Sequence, residues 1–141
     1  LEIFQGIGAG WEVSANYRHM YFAHNRIDSY GATLAKYLGK WYLRGGTVWT
    51  PEGSEDNITY VLMGRYYFTD DDFVEVSGSR GEEVVTVGPG PILESRDTTS
   101  FGIRGQHFFT PRWGLFLGYD YFDIEEVWDR HGVSSGILIR W

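Results

Sequence analysis

Apolar and polar residues alternate with a period of two along most of this 141-residue chain. Successive side chains of a β-strand point to opposite faces, so the alternation predicts strands with one apolar and one polar face. Residues that favour turns divide the alternating segments into nine predicted strands. These are Ile3–Trp11, Asn16–Ala23, Ser29–Tyr37, Trp41–Thr50, Ile58–Phe68, Phe73–Arg80, Thr98–Phe109, Trp113–Asp123 and Gly132–Trp141.

The predicted connections alternate in length. Along the chain, short connections alternate with longer ones. The short ones are "EVSA", "LGK", "TDDD" and "TPR", and the longer ones are "HNRID", "PEGSEDN", "GEEVVTVGPGPILESRD" and "IEEVWDRH". Bacterial membrane barrels have short turns on one side and longer loops on the other, and their tilted strands need about 9–11 residues to cross a bilayer. The pattern therefore predicts an all-β fold, an antiparallel transmembrane β-barrel.

The faces of individual strands support a lipid-facing apolar side. Trp41, Leu43 and Trp49 share one face of the fourth predicted strand, and Arg44 and Gly46 share the other. The two tryptophans are eight positions apart, about 19 Å along the membrane normal for a tilted strand, so one ring is expected near each interface. The predicted aromatic girdle comprises Trp41, Trp49, Trp113 and Trp141.

Charged residues are predicted on the opposite, lumen-lining face. They are Arg44, Arg65, Glu75, Arg104, Asp120 and Arg140. Arg65 and Glu75 are equidistant from the centre of one predicted hairpin, and Arg104 and Asp120 from the centre of another, so each pair is predicted to lie directly opposite. Two interpretations stay open: a path that selects anions or acidic sugars, or a salt-bridge network that fills the interior.

Composition agrees with this fold and excludes several others. Aromatic residues make up 18% of the chain and glycine occurs 19 times, as expected for strands joined by tight turns. No apolar segment approaches the roughly 18 residues that a membrane-spanning helix needs. Cysteine is absent, which removes disulfides and thiolate metal sites, and a net charge of −7 argues against nucleic-acid partners.

Catalytic and metal-binding motifs are not found in the sequence. None of the four histidines has a serine two residues away on the same strand face, where a nucleophile and its base would meet. His19 and His24 with Asp28, or His131 with Asp129, supply too few ligands for a zinc site. We therefore expect no enzyme activity, no metal and no cofactor.

An odd number of strands does not fit a closed bacterial barrel, which has an even number. One interpretation is that residues 1–141 form a single domain, the C-terminal part of a barrel of 10–12 strands. Upstream strands and a possible repeat domain would then lie outside this chain. The alternative is a closed eight-stranded barrel that begins at Asn16.

Four stretches together resemble the YaiO-like outer-membrane β-barrel family. They are "YRHMYF" at Tyr17–Phe22, "KYLGKWYLRGGTVWTP" at Lys36–Pro51, "GRYYFTDDDF" at Gly64–Phe73 and "TPRWGLFLGYDYFD" at Thr110–Asp123. The resemblance implies an outer-membrane location, a somewhat larger barrel and often an upstream segment of tetratricopeptide repeats. It implies no established biochemical activity, and related barrels suggest an association with polysaccharide export.

The last eight residues, "SSGILIRW", are similar to the C-terminal signal by which outer-membrane barrels are recognised for assembly. Its positions are Ser134, Gly136, Ile139 and Trp141. The barrel assembly machinery is therefore an expected partner, together with outer-membrane lipid, lipopolysaccharide and other envelope proteins.

The predicted function is that of a passive pore, or of the membrane anchor of an envelope or polysaccharide export assembly, in the Gram-negative outer membrane. The competing class is a soluble lipocalin-like barrel that binds an apolar ligand, which requires the apolar face to point inward.

Overall fold

The computed structural model describes residues 1–22, 25–52, 55–86, 93–125 and 127–141. These residues form one sheet of nine antiparallel strands, and each strand pairs with its sequence neighbours. The strands are β1 (Glu2–Gly8), β2 (Trp11–Phe22), β3 (Asn25–Leu38), β4 (Trp41–Glu52), β5 (Glu55–Tyr67), β6 (Phe73–Thr86), β7 (Leu93–Phe108), β8 (Trp113–Ile124) and β9 (Trp128–Ile139). Within the described ranges, no helix has the length and apolar character needed to cross a membrane.

The first hairpin turns earlier than predicted. Its turn is at Ala9 and Gly10, which have φ angles of 49° and 75°, and the predicted turn "EVSA" lies inside β2. Two successive residues with positive φ suit the right-handed twist of a tight hairpin, and glycine adopts that conformation without steric cost. The signal was present in the sequence as Gly8–Ala9–Gly10.

The predicted contrast between long and short connections is wrong. β2 ends at Phe22 and β3 begins at Asn25, and β4 ends at Glu52 and β5 begins at Glu55. Polar residues that suggested loops instead continue the ladder, as Asn57 does opposite Thr50. Residues 24, 53–54, 87–92 and 126, which belong to the predicted longer loops, and residue 23, the predicted end of the second strand, lie outside the described residues.

Cross-strand register assigns every described position to one of two faces, because directly paired residues point the same way. Leu62 on β5 lies opposite Gly45 on β4 and Gly78 on β6. Gly78 in turn lies opposite Phe101 on β7. We call this side the apolar face; its residues are strongly exposed, with Leu62 at 70% and Val133 at 77%.

The other side, the polar face, carries hydrogen-bonded polar side chains. The hydroxyl groups of Ser14 and Thr33 form a hydrogen bond with an oxygen–oxygen distance of 2.6 Å. The Thr50 hydroxyl donates to Ser29 Oγ at 2.9 Å. Polar residues make up much of the buried set: Ser14, Ser29, Asn57, Thr59 and Thr98. No buried side-chain nitrogen or oxygen of the described residues lacks a partner. Exposed apolar and sheltered polar side chains reverse the arrangement of a soluble barrel.

β1 and β9 are the two edges of the sheet, and they do not pair with each other in the described residues. A closed eight-stranded barrel beginning at Asn16 would need the first edge of β2 free to meet β9. That edge is occupied by β1, from Glu2 opposite Asn16 to Gly8 opposite Trp11. The eight-stranded alternative is therefore wrong, and the sheet has nine strands with two unpaired edges.

Candidate functional site

Arg65 and Glu75 form an ion pair on the polar face, near the β5–β6 turn. They lie directly opposite on β5 and β6, as predicted. Arg65 Nε donates to Glu75 Oε2 at 2.8 Å, Nη2 donates to the same oxygen, and Nη1 donates to Tyr67 Oη at 3.1 Å. The guanidinium also lies 4.4 Å from the ring centroid of Phe73. Salt bridge, hydrogen bond and cation–π contact together fix the guanidinium in one orientation.

Arg44 links β4 to the first strand. Its Nη2 donates to Glu2 Oε1 at 2.9 Å and its Nε to Thr33 Oγ1 at 3.1 Å. Sequence reasoning missed Glu2, because the predicted first strand began one residue later, at Ile3. The contact joins residues 42 positions apart, across β2 and β3. β1 is therefore held by the Arg44 side chain as well as by its own backbone ladder with β2.

Arg140 reaches the β5–β6 turn. Its Nη1 donates to Asp71 Oδ2 at 2.7 Å, and its guanidinium lies 4.0 Å from the ring centroid of Phe108. The hydrogen bond from Arg140 holds the pKa of the Asp71 carboxyl below its ordinary value of 3.8. The neighbouring Asp72 accepts the Phe108 backbone N–H at 2.7 Å, and this bond lowers its pKa as well. The turn is thus tied to both β7 and the C-terminal end of the chain.

The predicted pairing of Arg104 with Asp120 is wrong. Arg104 lies opposite Gly118, and Asp120 lies opposite Gly102, because the β7–β8 hairpin is centred one residue earlier than predicted. Arg104 instead lies 4.9 Å from the ring centroid of Phe116. Both charges nevertheless lie on the polar face.

Register therefore places all six predicted charged residues on the polar face. They are Arg44, Arg65, Glu75, Arg104, Asp120 and Arg140. Three of the four arginines are paired with carboxylates. Paired guanidiniums present little free positive charge, so this geometry favours the interpretation as a salt-bridge network over that as an anion path. Whether this face lines a lumen stays a prediction.

Three tryptophans of the predicted girdle, Trp41, Trp49 and Trp113, lie near the ends of the apolar face, and Trp141 follows the last strand. Trp41 packs on Tyr66 with ring centroids 4.9 Å apart, and Trp49 packs on Tyr30 at 5.5 Å. Trp113 lies opposite Ile139 at the start of β8. These rings form two aromatic groups separated by the central part of the strands, as interfacial belts require.

Sequence reasoning missed several members of these belts. They are Trp11, Tyr17, Tyr30 and Tyr66. The facing of "YRHMYF" was ambiguous in the sequence because both sets of alternate positions contain large side chains. Tyr17 lies opposite Tyr30 with ring centroids 5.4 Å apart, which assigns it to the apolar face.

A polar cluster surrounds Asp28 beyond the Tyr17–Tyr30 pair. The Asp28 carboxylate accepts from the Tyr17 hydroxyl at 2.6 Å and from Arg26 Nε at 3.1 Å, and it lies 2.7 Å from His19 Nδ1. His24, considered with it as a metal ligand, lies outside the described residues. In the part of the chain that is described, no group of three His, Cys, Asp or Glu residues is arranged to hold a metal ion.

The C-terminal motif spans both faces. Ser134 lies opposite Gly118, and its Oγ is 2.6 Å from the position that a Cβ at Gly118 would take. Gly136 is on the same polar face, whereas Ile139 lies on the apolar face. Trp141 follows the last paired residues and is fully exposed. Recognition of this motif by assembly machinery stays a prediction.

An apolar band between two aromatic belts, together with a polar face of paired charges, defines a membrane β-barrel protein. The profile of the YaiO membrane β-barrel domain matches residues 1–84, more than half of the chain. The chain therefore belongs to the YaiO membrane β-barrel family. Comparisons with curated proteins and with solved structures gave no match.

Proposed function

We propose that this protein is an outer-membrane β-barrel of a Gram-negative bacterium that serves as the membrane anchor of an envelope assembly. The observation that carries the proposal is the ion pairing of the polar face. Arg44, Arg65 and Arg140 are each held by a carboxylate and by contacts to an aromatic ring. In this proposal further strands close the barrel around this rigid, charge-paired face, and small barrels pack their interiors, which suits an anchor better than a selective conduit.

A passive pore is the second candidate. A cavity of about 710 Å³ lies on the polar face, lined by residues that include Glu2, Asn16, Arg18, Ser29 and Thr59. Its polar lining would hold water. This candidate predicts conduction without strong preference for one sign of charge.

Closure of the barrel requires additional strands in this proposal. β1 and β9 run in the same direction because they are separated by an even number of antiparallel steps. Direct pairing between them would be parallel, and unpaired edges are not stable in hydrocarbon. An odd number of further strands restores antiparallel closure, and one or three give barrels of 10 or 12 strands. Upstream segments of the same protein are the proposed source.

The proposed partners follow from the ends of the sheet. The motif at Ser134, Gly136, Ile139 and Trp141 would be recognised by the barrel assembly machinery. Lipid would contact the apolar face, and lipopolysaccharide and other envelope proteins, including those of polysaccharide export, would contact its rims. We propose neither nucleic-acid partners nor enzyme activity. A lipocalin-like binder would shelter its apolar side chains inside the barrel. Here the apolar face, with Leu62 and Val133, is exposed and the polar face is the sheltered one, which disfavours that class.

Conductance of the full-length protein in a planar bilayer tests the proposal. An anchor with a filled interior gives no stable channel steps, in the wild type and in Arg104→Ala alike. Steps without ion preference would support the passive pore and overturn the anchor. A strong preference for anions that Arg104→Ala abolishes would overturn both candidates and restore the anion path.

A further inference from the structure

The apolar face contains a groove, and what we infer from it rests on the proposed membrane location. Its volume is about 960 Å³, and it runs across β2 to β7. Its floor is formed by Gly45, Gly64 and Gly78, one glycine on each of three neighbouring strands. Glycine leaves a sheet surface without a side chain, so these positions form a depression between larger residues. The walls are Leu34, Leu43, Leu62, Val76 and Phe101.

One end of the groove carries a positive charge. Lys36 lines it beside Trp11, and its ammonium lies 4.4 Å from the ring centroid of Trp11. Lys36 Nζ donates to the Ala9 carbonyl in the β1–β2 turn at 2.6 Å. The long stem thus follows the apolar surface while the ammonium reaches the turn, where the bilayer interface is expected. An ammonium has three donors, so two more are available to a ligand.

The other cation in the lining does not point into the groove. Arg44 borders it through the backbone of β4, but its side chain is on the polar face, where it binds Glu2. The groove therefore combines an apolar floor and walls with an ammonium at one end only. This polarity matches an amphiphile with an acyl chain and a negatively charged headgroup.

We propose that this groove is a binding site for one anionic phospholipid of the leaflet that contacts the β1–β2 and β3–β4 turns. The headgroup phosphate binds the Lys36 ammonium beside the indole of Trp11. An acyl chain lies over the three glycines and against Leu43 and Leu62. The end occupied by the ammonium is the turn end that also carries Trp41 and the C-terminus. Outer-membrane barrels have this end on the periplasmic side, so at the proposed location the lipid belongs to the inner leaflet.

Two substitutions separate the headgroup and chain contributions. Lys36→Gln removes the charge and keeps a polar stem. Gly64→Leu fills the groove, and the fold accommodates it, because a Cβ at Gly64 would have ordinary contact with Leu43 Cδ2 at 3.5 Å. Each has a matched control outside the groove. Lys40→Gln removes a lysine whose Nζ binds the Phe68 carbonyl, and Gly105→Leu fills a site on the same face whose nearest atom, Val74 Cγ2, is 3.9 Å away.

Native mass spectrometry of the full-length protein in detergent, with phosphatidylglycerol or phosphatidylcholine added, tests the proposal. The wild type and both controls should retain one phosphatidylglycerol. Lys36→Gln should lower the preference for phosphatidylglycerol by about fivefold, and Gly64→Leu should lower retention of both lipids. Heat-modifiable gel mobility confirms that each variant is folded; if Gly64→Leu does not fold, Lys36→Gln decides the result alone.

Three outcomes would overturn the proposal. Lys36→Gln could bind phosphatidylglycerol as the Lys40→Gln control does. A second copy of the protein, rather than a lipid, could be the species that Gly64→Leu displaces. Lipopolysaccharide could compete fully for the site, which would place the occupant in the opposite leaflet.

Discussion

Arginine should lower the free energy of unfolding strongly when placed at Leu62 and only slightly when placed at the neighbouring Val61. Leu62 is on the apolar face, four residues from Ile58, which lies opposite Trp49, and four from Tyr66, which lies opposite Trp41. It is therefore midway between the aromatic belts, and 70% of it is exposed. Arginine at the bilayer midplane of a β-barrel costs about 2–4 kcal/mol of the free energy of unfolding. The equilibrium constant for unfolding should rise by roughly 30-fold to 700-fold.

Val61 is the matched control because its side chain points to the polar face. It lies opposite Gly46 on β4 and Ser79 on β6, two small residues that leave room for a longer side chain. The penalty for a charge at the bilayer midplane applies to the lipid-facing side of a membrane barrel and not to the lumen side. Val61→Arg should therefore lower the free energy of unfolding by clearly less than Leu62→Arg does.

Urea titration of each variant folded in lipid vesicles, followed by tryptophan fluorescence and by gel mobility, measures both effects. Equal costs for the two variants, or a greater cost for Val61→Arg, would refute the assignment of faces. A soluble lipocalin-like barrel, whose apolar face points inward, would give the same order of costs, but it would also unfold cooperatively without vesicles, which the membrane barrel does not.

Three further predictions concern charge and the C-terminus. A double-mutant cycle on Arg65 and Glu75, measured by urea titration in vesicles, should give a coupling free energy of about 1–2 kcal/mol, and a value near zero would contradict the pairing. Asp71 has a lowered pKa in the folded state, so its contribution to stability is present above its ordinary pKa of 3.8 and is lost as the pH falls below it. The free energy of unfolding should thus decrease more between pH 7 and pH 3 in the wild type than in Asp71→Asn. Equal decreases would show that the bond to Arg140 does not contribute to stability. Deletion of Trp141 should reduce membrane insertion, measured by cell fractionation, without reducing expression; unchanged insertion counts against the assembly signal.

Period-two alternation was sufficient to predict the class of fold and most of the facing. The central strands are long enough for several apolar positions to repeat, so the faces of residues such as Leu43 and Trp49 could be assigned without knowing their neighbours. Hairpin register was predicted for Arg65 and Glu75 because the turn between them is symmetric about Asp70. The same reasoning failed for Arg104 and Asp120, where a shift of the hairpin centre by one residue moved the pairing by two.

Strand ends were predicted poorly for a physical reason. Asn57 is polar and follows turn-forming residues, so local composition indicated that it belongs to a loop, whereas Thr50 was predicted as the last residue of a strand. In the structure they are directly paired, and Asn57 Nδ2 donates to the Thr50 carbonyl at 3.2 Å. A backbone ladder continues wherever a partner strand is present, and the presence of that partner cannot be read from the polarity of single residues.

Contacts between distant strands could not be predicted either. The pairing of Arg44 with Glu2 depends on where β1 lies relative to β4, and that of Arg140 with Asp71 on the position of the β5–β6 turn. Sequence spacing contains no information on these distances. The charged positions themselves were predicted, whereas their partners required the three-dimensional arrangement.

Site-directed spin labelling along β5 of the full-length protein in lipid vesicles tests the membrane-barrel account most directly. One label at each position from Ile58 to Tyr66 reports collision with oxygen, which concentrates in hydrocarbon, and with a water-soluble nickel complex. The account predicts that even-numbered positions favour oxygen, with the maximum at Leu62 midway between the belts, and that odd-numbered positions do not. Loss of the period of two, or greater oxygen access at Val61 and Met63 than at Leu62, would contradict the assignment of the apolar face to lipid.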